Sequence, residues 1–149
     1  MKTPTTLDDL MTEWNKDSII DELNVQKELL KIASLKAKYM KVLTCHNVKV
    51  KDLEKEYNKL KKIKWEYYSG DLNNPQDLAT YGYEPWVKKT LRQDIPMYLD
   101  ADKELVNILL KKVIHQEITE VCKEILKELN NRTYQIRGFI DWQKFLAGN

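Results

Sequence analysis

Apolar residues recur at helical spacing along most of the chain, and nowhere do they alternate with polar ones long enough to build a sheet. Leu7, Leu10, Met11 and Trp14 predict a first short helix from about Leu7 to Lys16. Thr5 or Thr6 can cap it, and Asp8 and Asp9 stand in its first turn, where carboxylates suit the helix dipole. Val25, Leu29, Ile32, Tyr39 and Leu43 predict a second helix from Glu22 to Thr44, with Lys27, Lys31, Ser34, Lys38 and Lys41 on its opposite side. Cys45, His46 and Asn47 predict a break. A third helix then runs from Lys49 to Tyr68, with Leu53, Tyr57, Leu60 and Tyr67 inside and Lys51, Lys55, Lys59 and Lys62 outside.

From Gly70 to Asp100 the pattern is lost. Three of the four prolines and two of the four glycines fall there, which predicts an irregular connector with helical turns at Pro75 to Thr80 and Pro85 to Leu91. A fourth helix starts at Asp100 or Asp102 and continues to Leu129 on a stripe of Leu110, Ile114, Ile118, Val121, Ile125 and Leu129. Asn130-Asn131 predicts a break before a final helix from Thr133 to Leu146. That helix is apolar enough to dock, and Gly138 inside it implies a close contact or a kink. The fold class is all-α, with long amphipathic helices in one domain. Residues 1–68 carry a basic face, 69–99 the connector, and 100–149 the assembly helices.

Composition sharpens this picture by exclusion. No window has the roughly 20 apolar residues of a membrane span, and two cysteines, Cys45 and Cys122, make no disulfide framework. A phosphate-binding glycine loop is missing, and Cys45, His46, His115 and Cys122 lack the spacing of a zinc site or a catalytic dyad with an orienting third group. Neither a cofactor nor an enzymatic activity is expected. The net charge of +2 hides an asymmetry: from Lys27 to Lys64 there are twelve lysines against four acids, Glu28, Asp52, Glu54 and Glu56.

That basic stretch closes on Lys61-Lys-Ile-Lys-Trp-Glu-Tyr-Tyr-Ser-Gly70, where cations and aromatic rings interleave. Ammonium groups neutralise phosphates while rings stack on bases, so this composition suits single-stranded nucleic acid. The candidate contacts are Lys55, Lys59, Lys61, Lys62, Lys64 and Trp65. Helical phasing separates two of them. At 100° per residue from Leu53, Lys62 lies opposite the apolar stripe, whereas Lys64 lies within it, at about 20°. Three readings follow for Lys64: it snorkels, the helix ends early, or the stripe there faces a groove or another subunit.

Three stretches, taken with the C-terminal end, resemble the UvsY recombination mediators of tailed phages. They are Leu7-Asp-Asp-Leu10 with Lys16-Asp17 to Ile20-Asp21, Lys62 to Gly70, and Leu99-Asp-Ala-Asp-Lys-Glu-Leu105; Ile136 to Asn149 matches as well. The resemblance implies a non-enzymatic helper of homologous recombination, acting in the cytoplasm of an infected bacterial host. Such proteins form ring-like hexamers or heptamers and bind single-stranded DNA. They weaken the hold of the single-strand-binding protein and help load a RecA-like recombinase, UvsX. The family's DNA-contacting Lys and Arg, one residue apart, fall on Lys62 and Lys64, the second without the planar fork of an arginine. The alternative is a helical scaffold or adaptor whose lysines only solvate it.

Overall fold

The computed structural model describes residues 2–148, and among them there is no strand. The helices are α1 (Leu7–Asp17), α2 (Val25–Ser69), α3 (Pro75–Tyr81), a 3-10 turn at Arg92–Asp94, α4 (Ile95–Asp100) and α5 (Lys103–Leu146). They fold into two compact units. One comprises the residues up to Val48 with those from Ile114 onward; the other is Lys49–Val113.

In the first unit α1 begins on a capping box: the Asp9 N–H donates to Thr6 Oγ1 and the Thr6 N–H donates to the Asp9 carboxylate. Its apolar side closes over Tyr39 and Val42 of α2 and over Ile118, Cys122, Ile125 and Leu129 of α5, with Leu10 wholly buried among them. Burial pushes the Cys122 thiol up to about 11, so this cysteine acts as a small apolar side chain. Polar groups pin the same core. Asp17 accepts from Lys38 Nζ at 2.6 Å and from the Tyr39 hydroxyl at 2.7 Å, while Glu13 takes Lys38 at 2.8 Å. Burial penalises the Lys38 cation, but these carboxylates overcome it and its pKa is raised. Buried Arg132 donates to the carbonyls of Asp17 and Ser18, both at 3.1 Å, closing the C-terminal end of α1.

The predicted break at Cys45-His46-Asn47 does not occur; α2 runs on through it. These residues cost only fractions of a kcal/mol in a helix, about 0.7 at most each, and tertiary contacts override that. His46 is wholly buried, and its Nε2–H donates to the Pro4 carbonyl at 2.9 Å. Its other ring nitrogen, Nδ1, lies 2.8 Å from Nδ1 of His115, close enough for the two rings to share one proton. Nor does α5 break at Asn130-Asn131, because buried Leu129 and Arg132 hold the chain on either side. Lys38, expected on an exposed face, is instead the internal partner of Asp17 and Glu13.

The C-terminal turns of α5 do not dock within the chain. Residues 141–148 are exposed, Trp142 and Phe145 among them, their rings stacked at 5.5 Å.

In the second unit Ile95 and Leu99 of α4 meet Leu105 of α5, with Tyr57, Leu60, Trp65 and Tyr68 of α2 packed around them. Gly70 ends α2 at φ +88°, where a side chain would strain the backbone, and the Leu72 N–H returns to the Glu66 carbonyl. The turn expected at Pro75 to Thr80 is α3, capped by the Asn74 side chain. The one expected at Pro85 to Leu91 is not helical; the chain turns later, at Arg92–Asp94 and α4.

A Cβ added at Gly138 would meet no atom within 4 Å, so the expected close contact is not present. Gly138→Ala therefore should stabilise the protein by about 1 kcal/mol through helix propensity, seen as a higher midpoint in urea with helix content unchanged.

Candidate nucleic-acid interface

The sequence predicts six contacts, all in the second unit, and the structure divides them. Lys55, Lys59, Lys61 and Lys62 are exposed on α2, and none of the ion pairs among the described residues includes them. Of the acids on this helix, Glu54 is engaged elsewhere, 3.3 Å from Lys112 and 3.4 Å from Lys51. Lys61, Lys62 and Trp65 line one open groove with Asn58, Glu66 and Asp71. Trp65 is half-buried, packing on the Ile95–Leu99–Leu105 core while it also lines that groove. Lys61 lies 5.9 Å from the centroid of the Tyr57 ring.

Lys64 goes elsewhere. Only 5% of it is exposed, and its ammonium lies 3.0 Å from Asp102 and 3.5 Å from Glu104. It also sits 4.0 Å from the centroid of Tyr83 and 5.7 Å from that of Tyr67. The helix does not end early and the side chain does not snorkel. The apolar stripe at this point faces the connector and the start of α5, where a buried carboxylate waits.

Asp102 is the hub of this arrangement. It starts α5 by accepting from the Leu105 N–H at 3.1 Å, and it accepts from the Tyr68 hydroxyl at 2.6 Å. Burial by itself would raise its pKa. The Tyr68 hydroxyl, the Leu105 N–H and Lys64 overcome that, and the net shift is below the usual 3.8. Burial and the facing carboxylates move the Tyr68 and Tyr83 hydroxyls the other way, so both remain protonated donors, Tyr83 to Glu104 at 3.0 Å.

Around this pair the rings of the connector close on those of α2. Trp86 meets Tyr68 edge-on at 4.8 Å and Tyr98 at 5.3 Å, and its indole N–H donates to Thr90. The Tyr67 hydroxyl donates to the Glu84 carbonyl at 2.7 Å. Sequence reading placed Lys64 on the apolar stripe but missed its partners. The available signal was Asp102, an acid at a helix start whose side chain could reach a lysine that the stripe turns inward.

Among the described residues no three His, Cys, Asp or Glu side chains are grouped to hold a metal ion, and no helix is long and apolar enough to cross a membrane. The fold and this surface define an all-α protein that presents a cationic, partly aromatic helix face. The sequence model of the family described as "Recombination, repair and ssDNA binding protein UvsY" matches residues 13–149, and the chain belongs to that family. The fold is similar to that of the bacteriophage T4 recombination mediator protein UvsY. The lattice type II crystal structure matches with a TM-score of 0.83 at 22% identity, over 97% of this chain and 99% of that one. The lattice type IV structure matches with 0.84 at 20% identity, over 95% and 99%. At such identities the likeness concerns the fold. No curated protein sequence matches the chain.

Removing one member of a buried ion pair leaves the other charge uncompensated. Lys64→Met should lower stability by about 3–5 kcal/mol, against at most about 1 for an exposed pair, and adding Asp102→Asn should recover part of it in a denaturation cycle. Asp102, depressed in the folded state, stabilises the protein above its unfolded pKa and loses that contribution as pH falls through the folded value. Stability should thus decline below about pH 4, and in Asp102→Asn this share of the acid dependence should vanish from urea midpoints measured across pH.

Proposed function

We propose that the protein is a recombination mediator whose α2 face, formed by Lys55, Lys59, Lys61, Lys62 and the groove wall of Trp65, holds single-stranded DNA. The observation that carries this reading is a row of exposed lysines without carboxylate partners, beside a half-buried indole, in a chain of the UvsY family. Phosphates replace counterions on the lysines, and a base lies against the exposed part of the indole; neither contact reads sequence. Lys64 serves this surface from behind. Its ammonium neutralises Asp102 and Glu104 and holds the rings in place, and a phosphate could reach it only by displacing one of these carboxylates.

The protein would act as a ring-like homo-oligomer, a hexamer or heptamer. Along α5, Leu109, Leu110, Val113 and Ile114 are exposed, as are Trp142, Phe145 and Leu146. Apolar helix surface of this kind is supported best by burial between copies. Repeating a weak lysine site around a ring raises avidity, enough to compete with a cooperative single-strand-binding protein and to present the strand to a RecA-like recombinase of the UvsX type. This work takes place in the cytoplasm of the infected host and needs no turnover chemistry from the chain itself.

Titration of fluorescent single-stranded DNA at several salt concentrations, with mass measured in parallel, tests the surface. Lys61→Ala/Lys62→Ala should weaken binding and reduce the slope of log K against log salt by about 1.4, at roughly 0.7 per phosphate, with the oligomer intact. An unchanged slope would remove these lysines from the site, and an oligomer that never binds DNA would leave the scaffold reading.

A further inference from the structure

The connector has its own rings and cations, apart from the groove on α2. Tyr81 closes α3, and Gly82, at φ +73°, turns the chain so that Tyr81 and Tyr83 stack with centroids 5.6 Å apart and planes 23° from parallel. Tyr83 is fixed twice, by its hydroxyl on Glu104 and by Lys64 over its ring. Tyr81 is therefore held against a rigid base, yet 44% of it is exposed. An aromatic side chain already ordered but not covered loses little conformational freedom when a further ring is laid against it.

Cations follow seven, eight and eleven residues after Tyr81. Lys88, Lys89 and Arg92 are exposed, and none is in an ion pair among the described residues. From Tyr81 to Arg92 the only acid is Glu84. Lys88 lies 5.9 Å from the Trp86 ring centroid, and Trp86 in turn packs on Tyr67 and Tyr68 of α2. The connector's rings and those at the end of α2 thus form one continuous cluster within a single unit.

We propose that the connector is a second contact for single-stranded nucleic acid, with Tyr81 as a stacking surface for a base and Lys88, Lys89 and Arg92 as partners for phosphates of the same strand. The proposal rests on the reading that the chain binds single-stranded DNA, and it lengthens the strand each subunit engages. A single strand carries bases whose π-faces can meet Tyr81 and phosphates that can meet the cations. An acidic protein segment offers the charge but not a ring with every anionic group. Exposed Val87 and Leu91 are the features such a segment would use, so it stands as the competing occupant.

The test uses the full chain and a fluorescent oligothymidylate, titrated across salt, comparing wild type with Lys61→Ala/Lys62→Ala, Lys88→Ala/Lys89→Ala/Arg92→Ala, Tyr81→Ala and Tyr81→Phe. Circular dichroism and mass confirm that each variant folds and assembles. The triple variant should lower the salt slope by about 2, at roughly 0.7 per phosphate. Tyr81→Ala should weaken binding about 5- to 150-fold, the range for one stacked base, while Tyr81→Phe keeps wild-type affinity. If the connector variants bind like wild type while Lys61→Ala/Lys62→Ala does not, this proposal is overturned and the α2 surface stands. If Lys61→Ala/Lys62→Ala binds like wild type and the connector variants do not, the connector stands without α2. Wild type that fails to bind overturns both. Connector variants that keep DNA affinity but no longer bind a glutamate-rich peptide assign the patch to a protein partner, and the proposal fails.

Discussion

A carboxylate and an ammonium taken out of water must find each other, and the second unit is arranged around that requirement. Lys64 and Asp102 are both nearly inaccessible and 3.0 Å apart. Left alone, either charge would cost several kcal/mol. The Asp102 carboxylate is satisfied by an ammonium, a phenol and a backbone N–H, contributed by α2 and the first turn of α5. Because each donor has a fixed reach, the pair sets how the end of α2 meets the start of α5 and where the rings between them lie. Sliding α2 by one turn could preserve an apolar stripe, but it would strand both charges.

The first unit uses the same logic with different groups. Asp17 gathers Lys38 and Tyr39, Arg132 closes the carbonyls at the end of α1, and His46 bridges His115 and the Pro4 carbonyl. Long amphipathic helices repeat their apolar faces every few residues and so define register weakly. Directional polar contacts at a few points supply what the repeating stripe does not.

These internal pairings also decide which cations remain for a ligand. Lys38 and Lys64 are consumed within the fold, whereas Lys55, Lys59, Lys61 and Lys62 point outward without carboxylate partners. A count of lysines overstates the proposed binding surface, since it does not distinguish a counterion for the protein from one for a phosphate. What is left is nonetheless coherent: a helix face of adjacent cations, an indole at its groove, and a connector whose rings are ordered by the buried pair.

Local patterns determined the all-α class, the span of α1 with Thr5 or Thr6 as its cap, a later helix starting at Asp100 or Asp102, and the outward direction of Lys55, Lys59 and Lys62; the structure chose Thr6 and Asp102. Each of these depends on near neighbours in the chain, through the 3.6-residue repeat or a capping side chain. The sequence likewise showed that Lys64 breaks its stripe. It did not show why, because Asp102 and Glu104 are far along the chain and only folding brings them to it. For the same reason the local signals at Cys45-His46-Asn47 and Asn130-Asn131 predicted breaks that α2 and α5 do not have. Weak helix formers cost fractions of a kcal/mol, and the burial of His46, Leu129 and Arg132 outweighs them. Local chemistry chose the helices; contacts between residues distant in sequence decided their length, their register and which lysines stayed free.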